Sequence, residues 1–302
     1  MEPRPSFPRP CRNLGRSSLT SMSRKSFLSL AGLGLAGCAT TGPGPDPDPQ
    51  PDPVPAGDRL LSSFLRWDAQ KHLGRMQSIL SRTWTDDQFS QALAWHKSQG
   101  DNTLMLCLGD VGDNGAAVCI YRDSWFGGAV DDARIVEIQG RLQRISEAGF
   151  SCWFWLTSDD SRQISTAGLD THLQHADLCM EHFGGWAAAW CAGLEIDEDG
   201  RKRHEKQIIA RLQGGSTAPV YTHYTRHNVR KAIDSGADGH CMQWSFSTSY
   251  GSIESDVRAA LGVAPADFLL HATEYDRDSS KGWGKRLVDA IADPRLTGYG
   301  NG

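Results

Sequence analysis

The feature that most constrains this chain is a regular alternation of short apolar runs with longer stretches of helical period. Thr103–Leu108, Phe150–Leu156, the run through Trp190, Pro219–Tyr224, Gly239–Phe246 and Phe268–Tyr275 read as strands without inside–outside alternation. Strands apolar on both faces are buried on both faces, as in a parallel sheet covered by helices. Between them the apolar residues return every three or four positions. Thr85-Asp-Asp opens a helix with Phe89, Ala92, Leu93 and His96 on one face, and Ile135, Ile138, Leu142 and Ile145 mark the next. Leu169 to Phe183, Lys202 to Leu212, Val229 to Ile233, Ile253 to Leu261 and Trp283 to Ile291 continue the series. Gln77–Ser81 supplies a short first strand, and Leu296–Gly302 an eighth. Seven or eight such units over about 230 residues fit an α/β fold of the (β/α)8 TIM-barrel type better than an open doubly wound sheet. No Gly-rich phosphate loop follows the first strand, which argues against a nucleotide site.

The N-terminal part has a different character. Residues 1–21 are Pro- and Arg-rich and read as an extension upstream of the true start, Met22. From there Arg24-Lys25, an apolar run Phe27–Gly37 and Cys38 form a segment too short to span a bilayer. Leu35-Ala36-Gly37-Cys38 resembles the lipobox of bacterial lipoproteins. That resemblance implies a signal peptide over residues 22–38, lipidation of Cys38, and a place in the bacterial cell envelope, held by a lipid anchor. Ser23-Arg24-Lys25-Ser26-Phe27-Leu28 is also similar to a twin-arginine signal with Lys for the second Arg, so the export route stays open. Ala39 after the Cys resembles the outer-membrane sorting pattern. Residues 39–57 are a Pro-rich linker; alternating proline favours an extended spacer, and its repetitive part spans roughly 50 Å. The folded domain is then 58–302. A net charge of −5 without a Lys/Arg-rich block in the domain gives no footprint for nucleic acid.

Active sites of such barrels lie at the C-terminal ends of the strands. Those ends carry many acids and aromatics here. Asp110 follows the second strand and Asp159-Asp160 the third. The fourth, Trp190-Cys-Ala-Gly-Leu-Glu-Ile-Asp-Glu-Asp-Gly200, ends in Glu195, Asp197, Glu198 and Asp199. Strand alternation would put Glu195 and Asp197 on one face and Leu194, Ile196 and Glu198 on the other. By itself the stretch also fits an acidic turn before the basic Arg201-Lys202-Arg203. The fifth strand offers His223 and Tyr224, the sixth Gln243 and Trp244, and the seventh Glu274 and Tyr275.

Paired carboxyl groups on two strand ends are what glycosidic cleavage requires. The arrangement resembles the large clan of (β/α)8 glycoside hydrolases with an acid/base on the fourth strand and a nucleophile on the seventh. The resemblance implies Glu195 as acid/base, Glu274 as nucleophile and a glycan substrate, with no cofactor. The clan usually has Asn before the acid/base, where this chain has Leu194. Ala-Gly-Leu-Glu-Ile-Asp-Glu is also similar to the chitinase-type fourth-strand motif, but Asp199 stands in place of its final Glu and Ala192 in place of its first Asp. With the retaining mechanism, Asp197 would raise the pKa of Glu195 by like-charge repulsion. Trp125, Trp155, Trp244 and Tyr275 are candidates for sugar stacking, and Asp110, Asp159, His223, Tyr224 and Gln243 for contacts to hydroxyls.

Other chemistries are less well supplied. His223, His227, His240 and His271 invite a metal-dependent hydrolase, but no His-x-His opens the first strand, and no Gly-x-Ser-x-Gly elbow occurs. A non-catalytic glycan-binding lipoprotein on the same scaffold is the alternative from another class. Cys107, Cys152, Cys191 and Cys241 fall in strands and read as small buried hydrophobes. Export also permits the pairs Cys179–Cys191 and Cys107–Cys119.

Overall fold

The structure is a computed structural model; it describes residues 60–64, 80, 84–98, 101–109, 119–158, 161–197, 200–226, 228–245, 248–274 and 283–300. All of these belong to one unit, Pro49–Gly302. The signal peptide with Cys38 and the Pro-rich linker lie outside the described residues. Among the described residues no helix is long and apolar enough to cross a membrane.

Eight strands, β1 (Leu60–Phe64), β2 (Thr103–Cys107), β3 (Ser151–Trp155), β4 (Ala187–Cys191), β5 (Val220–His223), β6 (Gly239–Gln243), β7 (Leu269–Glu274) and β8 (Leu296–Tyr299), pair in sequence order into a closed barrel. Every pairing is parallel, including β8 with β1. The crossovers are α1 (Asp86–Ser98), α2 (Asp132–Glu147), α3 (Arg162–Thr166) with α4 (Leu169–Phe183), α5 (Glu205–Gly215), α6 (Val229–Ser235), α7 (Tyr250–Val263) and α8 (Trp283–Ala290).

The alternation seen in the sequence is thus the alternation of the fold, with one correction. The first strand is Leu60–Phe64, not the run at 77–81. Of that run only Leu80 is described; it lies in a turn, and its carbonyl accepts from the buried Arg134 guanidinium on α2. Both segments are short and mix apolar with polar residues, so local composition does not separate them. Pairing does: Ser62 lies opposite Thr103 on one side and Leu60 opposite Gly298 on the other. Strand identity here is set by partners rather than propensity.

Residue parity sorts the strand side chains into two apolar clusters. Leu104, Leu106, Cys152, Phe154, Val220, Met242, Leu270 and Ala272 pack outward with helix residues such as Phe89, Ile135 and Phe183. Met105, Trp153, Trp155, Ala189, Cys191, Tyr221 and Cys241 make the second cluster, enclosed by the strands. A barrel of this kind is filled by side chains in layers. Trp153 meets Tyr221 at 4.5 Å and His271 at 4.6 Å between ring centroids. The Tyr221 hydroxyl reaches across to Thr297 Oγ1 (3.2 Å). Gly239, in register with Tyr221, leaves room for that ring, since a Cβ there would sit 2.6 Å from it.

Local signals set the helix starts. Thr85 and Gln88 form a reciprocal capping box at the head of α1. Asp131, Asn228 and Ser249 cap α2, α6 and α7 through their side chains. Gly236, with φ of 86°, closes α6 in the left-handed conformation that glycine adopts without strain. Neither disulfide pair that export would permit, Cys179–Cys191 or Cys107–Cys119, is formed among the described residues.

Candidate active site at the barrel mouth

β4 stops at Cys191, four residues before Glu195. The expectation that alternation carries Glu195 and Asp197 onto one strand face is therefore wrong. The chain instead turns through 194–197, and Glu195 takes φ of +43°. Gly193 permits the turn, because a Cβ there would lie 2.8 Å from Thr157 Oγ1. The turn still threads between its neighbours. Leu194 N–H donates to the Thr157 carbonyl (2.9 Å) and Ile196 N–H to the His223 carbonyl (3.0 Å).

What holds the turn from outside is Arg201, fully buried in the 3-10 segment Gly200–His204 that follows. Its guanidinium donates to the carbonyls of Leu194 (2.9 Å), Glu195 (3.3 Å) and Ser158, and to Thr157 Oγ1 (3.2 Å). One cation thus ties the loop after β3 to the loop after β4. In sequence it is one of three adjacent basic residues, and nothing local says which of them turns inward. Arg201→Met is expected to lower the unfolding free energy by about 3 kcal/mol, because several buried carbonyls lose their donor. Arg201→Lys should recover only part of that, an ammonium lacking the planar fork. Urea unfolding of the two variants checks this.

A left-handed φ at a residue that is not glycine costs on the order of 1–3 kcal/mol and persists only where the surroundings impose it. At Glu195 they do. Its N–H donates to His223 Nδ1 (2.9 Å), and its Oε1 accepts from Gln243 Nε2 (2.5 Å). His223 lies edge-on to Trp155, with ring centroids 4.9 Å apart. Burial first, then the positive surroundings of His240 and Arg201, hold its pKa well below the usual histidine range. The ring is neutral, with Nδ1 as acceptor. Glu195 is therefore brought together with His223 and Gln243, and His223 with Trp155. Glu274 is the last residue of β7. A bulge opposite Met242 and Gln243 gives it, rather than Thr273, the rung beside Gln243. Its side chain, like Asp110, Asp159, Asp160, Glu198, Asp199, Tyr275 and His227, lies outside the described residues.

No protein-family model matches this chain, and no curated protein matches it in sequence. Solved structures do match it in shape. A GH113 beta-1,4-mannanase aligns with a TM-score of 0.52 at 9% identity, over 81% of this chain and 88% of that one. The GH1 beta-glucosidase from Exiguobacterium antarcticum B7 aligns at 0.53 and 11% identity, over 82% and 88%. A family 5 glycoside hydrolase from Bacteroides vulgatus ATCC 8482 gives 0.55 at 10% identity, over 80% and 57%. The chain shares the barrel fold of these glycoside hydrolases. At such identities the likeness is one of fold.

Within this glycosidase-like fold, three of the expected site residues have other employment. Asp197 accepts from the Thr225 N–H (2.9 Å) and pairs with Lys231 Nζ (2.9 Å). Burial alone would raise its pKa, but the Thr225 and Lys231 contacts outweigh it and hold the carboxyl below its ordinary range. It is a neutralised strut between loops, not a like charge bearing on Glu195. Tyr224 is fully buried in the outer core under Lys231, whose ammonium lies 3.8 Å above its ring. Trp244 is in the same outer layer, its indole N–H donating to Asp256 Oδ2 (2.9 Å). Neither offers a face at the mouth, because β5 and β6 end one residue earlier, at His223 and Gln243. Trp155 is 1% exposed, packed in the barrel interior against His223, and offers no open face to a sugar. Trp125, 63% exposed on the loop after β2, is the one large aromatic among the described residues that presents itself to solvent on this side.

Proposed function

We propose that the chain is an exported, lipid-anchored glycoside hydrolase that cleaves O-glycosidic bonds of a polysaccharide or oligosaccharide with retention. The observation that carries this reading is Glu195, held in a left-handed turn at the barrel mouth by His223, Gln243 and Arg201. Backbone strain imposed on a carboxylate-bearing residue in a loop at the barrel mouth is characteristic of a functional position. The second support is Glu274, whose backbone ends β7 on the rung next to Gln243. In the retaining scheme Glu274 attacks the anomeric carbon while Glu195 protonates the departing oxygen. Glu195 then deprotonates the water that releases the sugar. The anchor at Cys38 rests on its lipobox-like sequence.

The test is a panel of polysaccharides and oligosaccharides incubated with the protein, with new reducing ends counted alongside binding. Release of reducing ends from one class is expected. Tight binding with no release would favour the non-catalytic glycan-binding barrel instead. Within this reading Trp125 supplies a stacking platform. Trp125→Ala is expected to weaken glycan binding about fivefold, near the 1 kcal/mol that an exposed aromatic contact contributes, with kcat and stability unchanged. Isothermal titration against the responding glycan checks it.

A further inference from the structure

His223 is the natural suspect for a proton-transfer group, a metal ligand or a contact to substrate, being a histidine at a strand end beneath a carboxylate. Its geometry excludes it from the last of these and points elsewhere. The side chain is fully buried. Nδ1 is already occupied, accepting from the Glu195 N–H (2.9 Å), so the ring proton resides on Nε2. Nε2 is enclosed and has no hydrogen-bond partner among the described residues. The same residue also accepts, at its backbone carbonyl, the N–H of Ile196 (3.0 Å). Two successive amides, on either side of the Glu195 α-carbon, are thus fixed by one residue of the neighbouring strand.

That bracketing bears on the strained residue. A glutamate in an ordinary extended or helical conformation would direct its carboxyl elsewhere, and the turn has no glycine at this position to hold the left-handed φ without cost. Trp155 packs against the imidazole and fixes its plane. Gln243 receives the carboxyl at the other end. We propose that His223 is a positioning residue, whose Nδ1 lone pair locks Glu195 in its left-handed conformation and so aims the Glu195 carboxyl across the barrel mouth. This rests on the reading of Glu195 as the acid/base. The imidazole transfers no proton in the cycle; it must keep the one it has.

Asparagine and glutamine separate this role from others, because Asn Oδ1 falls where His Nδ1 is and a Gln amide falls nearer Nε2. In protein labelled with 15N-histidine, the His223 ring should show the Nε2–H tautomer at every pH from about 5 to 9. Amide exchange at Glu195 should quicken about tenfold or more in His223→Leu and in His223→Gln, and stay close to the parent in His223→Asn. With the responding glycan, His223→Leu should lose about 100-fold in kcat, as a small misplacement of a catalytic group does, with KM little changed. His223→Asn should restore most of that loss. An Nδ1–H tautomer, a ring that titrates in this range, or Glu195 exchange that is the same in all three variants would overturn the proposal. If no glycan is turned over, the tautomer and exchange results still decide the lock, and the failure belongs to the glycosidase reading alone. If glycan is turned over and His223→Leu keeps its kcat, the positioning role is wrong while the glycosidase reading stands. Should the Leu variant fail to fold, the wild-type tautomer and the Asn–Gln contrast remain decisive.

Discussion

Replacing Glu195 with Gln is expected to lower glycan turnover about 10³-fold with little change in KM, the loss typical of a missing general acid. The carboxamide keeps an oxygen for Gln243 Nε2 and keeps the backbone contacts to His223 and Arg201, so the turn should persist. Only the acidic proton is gone. Glu274→Gln should be at least as damaging, since it removes the proposed nucleophile. Leaving-group dependence distinguishes the two. An aryl glycoside whose phenolate departs unaided needs no acid in the first step, so Glu195→Gln should give a burst of phenol followed by a slow phase, and Glu274→Gln no burst. Asp197→Asn serves as the contrast: it breaks the pair with Lys231 and should affect stability more than chemistry. Turnover that survives both glutamate changes would end the assignment.

Acid is the second large effect. His172 and His175 on α4 are almost fully buried, and burial, the largest cause in both, lowers their pKa to about 4. His172 is lowered further by His175, His204 and Arg201 nearby, while the Leu156 carbonyl that His175 contacts partly offsets its shift. His223 is displaced in the same direction. As pH falls below about 6.5 these imidazoles take up protons in the unfolded chain but not in the folded one, so the unfolded state gains. The stability is complete above that point and falls by about 1.4 kcal/mol per pH unit for each histidine. The loss levels off below the folded pKa, reaching roughly 3 kcal/mol apiece for His172 and His175. Against a total of about 5–15 kcal/mol this is enough to bring the fold near its limit by pH 4–5. The lowered carboxyl of Asp197 acts at lower pH and does not offset it. Urea unfolding at pH 7, 6 and 5 measures the slope, and equal stability at pH 7 and pH 5 would refute it.

Much of the barrel was legible because parallel strands buried on both faces leave continuous apolar runs, and because α1, α2, α6 and α7 begin with side-chain caps. The strand order and most element positions follow from those two signals. The first strand did not, since Leu60–Phe64 is defined by Thr103 on one side and Gly298 on the other. The acidic stretch shows the same division more sharply. Its place at the mouth was readable from position. Its shape was not, because a glycine meeting Thr157 and a buried arginine six residues after Glu195 convert an apparent strand into a turn. Locally this is the acidic turn before a basic segment, and it is a candidate site all the same. Likewise, Tyr224 and Trp244 look like mouth residues until the strands are seen to end one residue short of them. A one-residue difference in where a strand stops exchanges the two faces of everything beyond it.

The single direction of the eight strands also makes the two rims of the barrel unlike. All strands begin at one rim and deliver their C-terminal ends, with Glu195 and Glu274, to the other. Leu60, the first residue of β1, lies on the starting rim. A five-residue strand carries the chain roughly 16 Å from that rim to the roof. On the proposed reading, a glycan lying across the roof would therefore meet only the loops that follow the strands, and the rim where the strands begin would take no part in holding it.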